Sequence, residues 1–457
     1  MTASTNSTAT SVSSDLRSRI ADALSTVLDA QAADGTTFHR VVLPIDSLDP
    51  LSWLARQRSP SRFYWGSRDG AAATAGIGIA HEIVSNGKHD GIVDSVTASI
   101  AKADPGIRFL GGMRFDQSGN PDATWNAFND SHFVLPRFEL NQNASETTFA
   151  CNVCTGDSLD DLLEALDAVI FDALPEPAVL PSPMVREDTP DRDAWTNMVQ
   201  CAIAAVEQGE MDKIVLARRV DLEFEMNLDP VMLLLRLRQV TPQCYNFCFQ
   251  PGNDGAFIGA SPERLYFRHG RWIESEAVAG TRPRGNTPDV DAGLSEALLT
   301  SDKDLREHAF VRDMIQESLN PLCRDVAVDG RVSLLKLSRR QHLYSGMSGH
   351  LSEAVSDAEL CRELHPTPAV GGCPTEVAID RIREWEGFDR GWYAAPFGVI
   401  GRDVVELAVA IRSARVDAKR LSLFSGAGIV SGSTPDQEWD EIENKIVDFI
   451  RILTDPA

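Results

Sequence analysis

Apolar residues recur at helical spacing near the start of the chain. Leu16, Ile20 and Leu24 lie four positions apart, so they fall on one face of a helix, which we predict over residues 15–33. The preceding residues, 1–14, read MTASTNSTATSVSS and show no apolar periodicity. They also lack the basic and apolar regions of a secretory signal, so we expect a disordered tail there.

A second pattern, of short β-like runs, extends from residue 37 to about 150. The runs are FHRVVLP, RFYW, AGIGIA, RFLGGMRF and HFVLPRFEL, and turn residues separate them. This pattern is typical of a twisted antiparallel sheet. The amphipathic run LDDLLEALDAVIFDAL then predicts a helix over 159–174.

A proline-rich segment divides the chain. Five prolines fall between residues 175 and 193, and proline disfavours both helix and central strand. We therefore expect no regular structure over 175–193. This segment should cross between an N-terminal half, residues 15–174, and a C-terminal region, residues 194–457.

The C-terminal region alternates between strand-like and helix-like patterns. Strands are predicted at 213–224, 406–416 and in the runs NFCFQ, AFIGA, RLYFR and LSLFSGAGIV. Helices are predicted at 194–208, 228–239, 291–319, 354–364, 374–384 and 435–453. Long strands mixed with irregularly spaced helices indicate the α+β class.

The charge of the chain limits its partners. Asp and Glu number 67 against 43 Lys and Arg, a formal net charge of −24. We therefore expect no nucleic-acid partner. An anionic substrate would need local cations or a metal to hold it. No apolar run approaches the ~20 residues of a membrane span, so we expect no membrane association.

The eight cysteines of the chain are expected to be reduced, as in a cytoplasmic protein. Cys151 and Cys154 form a lone CxxC without a second CxxC or a His pair at zinc spacing. Core packing explains this pair better than zinc does.

The last predicted helix carries polar residues at regular spacing. Thr434-Pro435-Asp436-Gln437 is a capping-box start. Glu438, Glu441 and Lys445 then follow at spacings of three and four, so they share one face. For an arbitrary helix, a solvated salt-bridged surface would be the better interpretation, and the preceding sequence is what argues against it.

That preceding sequence is Ser425-Gly426-Ala427-Gly428 at the end of a predicted strand. Its glycines allow backbone N–H groups to approach an anion closely. A dinucleotide-binding loop fits poorly, because Ser431 stands where the GxGxxG pattern needs its third glycine.

A second acidic helix carries Asp304 and Glu307 three positions apart, beside an apolar stripe. Carboxylates from two helices, with oxygen as the only ligand atom, suit Mg²⁺. Taken alone, this helix is still better explained as a solvated face. The remaining candidates, each with an ordinary structural explanation, are Lys213, Glu263, Gly280, Thr281, His342, Ala369, Tyr393 and Arg412.

Taken in this order, the motifs resemble the chorismate-utilising enzyme family of anthranilate, aminodeoxychorismate, salicylate and isochorismate synthases. The strongest resemblance covers residues 194–453. It implies one α+β unit of two large antiparallel β-sheets flanked by helices. The N-terminal runs DPLSWLARQ, FYWGSRDG, FLGGMRFD and VLPRFEL resemble isochorismate synthases of the menaquinone-pathway kind.

The resemblance implies a role for each candidate residue. Lys213 matches the general base that activates water for addition at C2 of the ring, and Glu263 matches the general acid that protonates the departing C4 hydroxyl. Glu307 and Glu441 match direct Mg²⁺ ligands, whereas Asp304 and Glu438 match carboxylates that reach the metal through water. The matches to substrate-binding positions are Gly280, Thr281, His342, Tyr393, Arg412, Gly426, Gly428 and Lys445.

Differences within the family favour one activity. Ammonia-using members carry a PAGT-like stretch where this chain has HPTPAV, so Ala369 replaces a threonine, as in the water-using enzymes. We therefore expect an isochorismate synthase that acts as a monomer without a glutaminase subunit. The alternatives are a salicylate synthase, which also expels pyruvate, and a non-catalytic chorismate-binding relative. One departure is the run AGTRPRG, where Arg282 and Arg284 could contact substrate or balance nearby acids.

Overall fold

The computed structural model describes residues 5–34, 36–86, 91–119, 121–172 and 180–454. Within these ranges the α-helices are α1 (Thr5–Asp34), α2 (Pro50–Arg56), α3 (Ile92–Ile100), α4 (Leu159–Asp167), α5 (Arg192–Glu207), α6 (Pro230–Val240), α7 (Pro288–Leu299), α8 (Asp302–Leu319), α9 (Asp357–Leu364), α10 (Thr375–Trp385) and α11 (Pro435–Thr454). The strands are β1 (Phe38–Ile45), β2 (Arg62–Gly66), β3 (Ala73–Ser85), β4 (Arg108–Met113), β5 (Ser131–Gln142), β6 (Thr147–Cys154), β7 (Val185–Thr189), β8 (Lys213–Glu223), β9 (Tyr245–Gln250), β10 (Ala256–Ser261), β11 (Arg264–His269), β12 (Trp272–Pro283), β13 (Cys323–Val328), β14 (Ser333–Lys336), β15 (Arg340–Leu351), β16 (Gly372–Cys373), β17 (Pro396–Gly401), β18 (Val404–Val409), β19 (Ser413–Asp417) and β20 (Arg420–Ile429).

The strands pair antiparallel throughout the described residues, and the predicted α+β class is confirmed. Two arms of the sheet meet at β5. The first half of β5 pairs with β4 (Leu110 opposite Val134), and its second half pairs with β6 (Phe138 opposite Cys151). The first arm runs through β6, β5, β3, β2, β9, β10, β19, β20 and β8, and the second through β4, β17, β18, β11, β12 and β15. The two expected sheets are thus joined into one hydrogen-bonded system.

Two hydrophobic cores hold the helices and the two arms of the sheet together. The first core contains large aromatic side chains such as Phe257, Trp392 and Phe397, together with residues of both arms. The second core lies under α1, α2, α6 and α11 and includes Leu24 and Leu234. Both halves of the chain contribute to both cores, so burial of apolar surface ties the two halves together.

The start of the first helix differs from the expectation of a tail over 1–14. Helix α1 begins at Thr5, and residues 1–4 lie outside the described part. Gly35 is the first glycine or proline of the chain, so no strong helix breaker precedes residue 15, and Ser and Thr lower helix propensity only modestly. The predicted amphipathic face is confirmed, because Leu16, Ile20 and Leu24 are buried.

The proline-rich segment also differs from expectation. Residues 173–179 lie outside the described part, but β7 forms within the predicted irregular stretch and pairs with β8 (Val185 opposite Glu223). The five residues of β7 contain no proline, so their amide groups are able to join the ladder. The prediction that 175–193 contains no regular structure was therefore wrong over this strand.

Two elements that were predicted as continuous are broken. The strand predicted over 406–416 is interrupted between β18 and β19, where Arg412 adopts a left-handed φ of 49°. The helix predicted over 291–319 is divided into α7 and α8, because the side chain of Ser301 caps α8 by accepting from the Asp304 amide. No helix of the described ranges is long and apolar enough to cross a membrane.

Candidate functional site

A cavity between the two arms gathers most of the candidate residues. Every predicted site residue except Asp304 and Glu438 lines it. The residues that do so are Lys213, Glu263, Gly280, Thr281, Glu307, His342, Ala369, Tyr393, Arg412, Gly426, Gly428, Glu441 and Lys445. Apolar walls come from Val215, Val278, Ile411 and Phe424, none of which a chemical motif had singled out.

Lys213 stands at the first position of β8 and is buried. Its Nζ lies 3.3 Å from Glu307 Oε1. Strand β20 runs alongside, and a Cβ on Gly428 would lie 2.8 Å from Lys213 Cε. Glycine at position 428 therefore provides the space that the lysine side chain occupies.

Glu263 lies in the short connection between β10 and β11, where it is buried. Its amide donates to Ser261 Oγ (3.2 Å), and its carbonyl accepts from the amide of Val409. Burial raises the pKa of Glu263 to about 7, and the negative charge of Glu276 adds to the rise. A carboxyl in this setting retains its proton close to neutral pH, as a general acid must.

The two acidic helices face the cavity from different directions. Helix α8 presents Glu307, whereas α11 presents Glu441, whose Oε1 accepts from Lys445 Nζ at 2.7 Å. The same lysine donates to the carbonyl of Gly426 at 2.8 Å. Glu438 is buried one turn earlier on α11, where burial and the charge of Glu441 raise its pKa.

Asp304 is occupied by an ion pair. Arg282 Nη2 lies 2.6 Å from Asp304 Oδ2, and Arg284 Nε lies 2.6 Å from Asp291 Oδ1. Both arginines of the AGTRPRG run therefore balance nearby acids, the second of the two possibilities raised by the sequence.

The carboxylates in and beside the cavity can be compared with the ligands that metal ions prefer. Among the described residues, no three His, Cys, Asp or Glu side chains already converge as a metal cluster. Glu307 and Glu441 nevertheless line one cavity, each beside a lysine, and burial followed by the charge of Glu441 raises the pKa of Glu438. Carboxylates alone, few in number and supplemented by water and substrate oxygens, fit Mg²⁺ better than softer metals.

A histidine links the second arm to Arg412. Arg412 Nη2 lies 3.1 Å from His342 Nε2, and Thr281 Oγ1 lies 2.9 Å from His342 Nδ1. Burial, with the charge of Arg412, lowers the pKa of His342 well below its usual range. A guanidinium can only donate, so the neutral ring accepts at Nε2 and donates from Nδ1 to Thr281. The Thr281 hydroxyl hydrogen thus remains available to a ligand oxygen.

Backbone conformation positions the side chains of Thr281 and Arg412. Gly280 has a φ of 75° and lies at a register shift between β12 and β15. A side chain there would also press on Asp304 Cβ at 3.3 Å. Arg412 holds its left-handed φ at a cost of about 1 kcal/mol or more, and such strain is concentrated at ligand-binding positions.

Tyr393 closes the far wall of the cavity. Its ring stacks on Phe424 at 5.4 Å, and burial raises the pKa of its hydroxyl, which therefore stays a donor. A Cβ on Gly426 would lie 3.1 Å from the Tyr393 hydroxyl. Glycine at 426 therefore leaves space beside that donor.

Sequence reasoning missed two buried ion pairs near this cavity. Arg68 pairs with Glu276, and Arg390 pairs with Glu386 at the edge of β8. Arg68 belongs to the run FYWGSRDG, which resembles isochorismate synthases of the menaquinone-pathway kind. Arg68 lies three residues after the apolar run FYW, and a charged residue so close to an apolar run could have signalled a buried partner.

Comparison with known proteins places the chain in a family. A family model described as "Chorismate binding enzyme" matches residues 22–454. Isochorismate synthase 2, chloroplastic, of Arabidopsis thaliana is 36% identical over 372 residues, which cover 79% of this chain and 66% of that protein. The chain thus spans just under two thirds of the length of this plant relative.

Two bacterial relatives are matched over most of their length. Isochorismate synthase MenF of Bacillus subtilis is 32% identical over 440 residues, covering 90% of this chain and 92% of that protein. The solved structure of MenF, the menaquinone-specific isochorismate synthase from Escherichia coli, has a TM-score of 0.82 at 28% identity and covers 94% of this chain and 100% of that chain. The predicted family is confirmed, and this chain belongs to the chorismate binding enzymes.

Proposed function

We propose that this chain is an Mg²⁺-dependent isochorismate synthase that converts chorismate into isochorismate. The observation that carries the proposal is that a buried lysine, Lys213, and a buried carboxyl, Glu263, line the same cavity, with carboxylates and further cations around them. The relatives matched over most of their length are named isochorismate synthases. Ala369 at the cavity wall favours water over ammonia as the nucleophile.

The proposed reaction needs one base and one acid. Lys213, in its neutral form, removes a proton from water as the water oxygen bonds to C2 of the ring. The double bonds shift, the C4–O bond breaks, and Glu263 gives its proton to the departing hydroxyl, which leaves as water. Proton exchange with solvent then restores both groups, so one water enters and one leaves.

The substrate carries two carboxylates in a protein of strongly negative net charge. Arg412 and the amides near Gly426 and Gly428 would hold the enolpyruvyl carboxylate, because a guanidinium binds carboxylate in bidentate geometry. Lys445 would lie near the ring carboxylate, and the Thr281 hydroxyl would donate a hydrogen bond to an oxygen of the substrate. Glu307 and Glu441 would hold Mg²⁺, with Asp304 and Glu438 contributing through water. The bound ion would supply positive charge that neutralises the ring carboxylate.

The first test is to incubate the purified protein with chorismate and Mg²⁺, with and without EDTA, and to separate the products by chromatography. With Mg²⁺ we expect a mixture of chorismate and isochorismate. With EDTA only chorismate should remain, and isochorismate should form again when Mg²⁺ is added in excess. Salicylate and pyruvate would instead assign the chain to the lyase branch of the family. Chorismate binding without turnover would support a non-catalytic relative.

A matched pair of variants on α11 tests the metal assignment. Glu441→Ala should lose Mg²⁺-dependent turnover and weaken Mg²⁺ binding measured by calorimetry. Asp440→Ala is the control, because Asp440 is exposed on the same helix. Full activity of Glu441→Ala would contradict the assignment.

A further inference from the structure

A buried ion pair outside the cavity lining contacts the segment that carries Glu263. Arg68, which follows β2, places Nη1 2.5 Å from Oε1 of Glu276 in β12. The side chain of Glu276 is fully buried, and that of Arg68 is only 17% exposed. The pair therefore connects the N-terminal half of the chain to the second arm of the sheet, directly behind the proposed acid.

This pair bonds to the backbone on both sides of Glu263. Arg68 Nη1 also donates to the carbonyl of Pro262 at 3.0 Å. Glu276 Oε1 also accepts from the amide of Arg264 at 2.8 Å. The backbone immediately before and after the acid is thus held by two partners that are themselves paired.

Arg68 and Arg264 both act electrostatically on Glu276. Its Oε2 is buried and has no hydrogen-bond partner among the described residues. The groups that act electrostatically on Glu263 are Glu276 from β12, Lys213 from β8, Lys445 from α11 and Arg412 from the β18–β19 connection, with the Tyr393 hydroxyl also nearby. Of these groups, Glu276 alone adds negative charge behind the acid.

We propose that Arg68 and Glu276 are positioning residues for the acid: they fix the backbone around Glu263, and the Glu276 carboxylate favours the protonated form of Glu263. The raised pKa of Glu263, to which Glu276 contributes after burial, agrees with this role. The inference rests on the proposed function, because it assigns the pair to a step in which Glu263 donates a proton.

Two substitutions should move the pH profile in opposite directions. Glu276→Gln keeps the shape and the Oε1 acceptor but removes the negative charge, so Glu263 should ionise at lower pH. The alkaline fall of kcat/KM should shift down by about one pH unit, giving about tenfold less activity than wild type at pH 9 and little difference near pH 5. Arg68→Met removes one of the two arginines that act on Glu276, so the alkaline fall should shift upward, with lower kcat throughout.

A control separates this role from a purely structural one. Arg268 and Asp357 also form a buried Arg–carboxylate pair, with two contacts of 2.8 Å, and neither lines the cavity. Asp357→Asn should lower the Tm without moving the pH profile. If Glu276→Gln and Arg68→Met likewise lose the same fraction of activity at every pH, the inference is overturned.

A measurement without turnover keeps the inference distinct from the proposed function. Infrared difference spectra should contain a protonated-carboxyl band that is absent in Glu263→Gln and titrates near neutral pH. Its midpoint should fall in Glu276→Gln and rise in Arg68→Met. An unmoved midpoint would overturn the inference even in an active enzyme, whereas a moved midpoint in a protein that does not convert chorismate would refute only the proposed function.

Discussion

The protonation of Glu263 determines how activity should depend on pH. In the proposed reaction the Glu263 carboxyl must carry a proton when the C4 hydroxyl leaves, and burial raises its pKa to about 7. Because the protonated fraction falls as the pH rises through 7, kcat/KM should fall about tenfold per pH unit on the alkaline side. Glu263→Gln should lose this dependence together with roughly 100- to 10,000-fold of activity. A wild-type profile that stays flat to pH 9 would mean that another group supplies the proton.

Gly428 should be as important for rate as a charged residue. A methyl group there would lie 2.8 Å from Lys213 Cε, so Gly428→Ala should displace the base and lower kcat by about 10- to 100-fold with little change in Tm. The control is Gly293→Ala in α7, where an added Cβ meets no atom within 4 Å. This control should gain about 0.5–1 kcal/mol of stability at unchanged kcat. Undiminished kcat in Gly428→Ala would argue against Lys213 as the base.

At the scale of single elements, the start of α8 should influence metal binding. Ser301 Oγ accepts from the Asp304 amide at 3.3 Å and begins the helix that carries Glu307. Ser301→Ala should cost about 1 kcal/mol of stability and loosen the first turn, so half-maximal activity should require more Mg²⁺. A Mg²⁺ titration of activity, with Tm measured in parallel, checks this. Thr287→Ala, which removes the corresponding cap of α7, should lower Tm without changing the Mg²⁺ requirement.

The same elements show where sequence patterns suffice and where they fail. Strand β8 and helix α11 were predicted to within a few residues, because apolar periodicity and a proline start mark them clearly. The break at Arg412 was missed because it lies inside a run with strand-like alternation. The break at Ser301 lies in the polar run TSDKD, where a serine could have marked the start of a new helix. A left-handed arginine is stabilised by contacts distant in sequence, here with His342, and no local pattern encodes these contacts.

At the scale of the whole molecule, the fold class and the family could be predicted, and the connection between the arms could not. The resemblance of the ordered motifs to the family sufficed to name most of the residues that line the cavity. The Arg68–Glu276 pair joins residues more than 200 positions apart. Its existence depends on how the two arms meet, so only the three-dimensional arrangement reveals it.

The two cores predict that stability and catalysis can be separated. Ile20 on α1 is buried in the second core, and Ile315 on α8 is buried in the first. Either Ile→Ala substitution should cost roughly 2–5 kcal/mol of unfolding free energy, because each leaves a cavity. Only Ile315→Ala should also raise the Mg²⁺ requirement, since it loosens the helix that carries Glu307.

Denaturant unfolding measures the loss of stability in both variants, and Mg²⁺ titration of activity measures their Mg²⁺ requirement. The titrations are compared at temperatures where both variants remain folded, so that unfolding does not affect the measured rates. If Ile20→Ala changed the Mg²⁺ requirement as much as Ile315→Ala, loss of stability alone would explain the kinetic effect. A requirement that moves only in Ile315→Ala would show that packing beneath α8 places Glu307, while packing of Ile20 on α1 contributes stability alone.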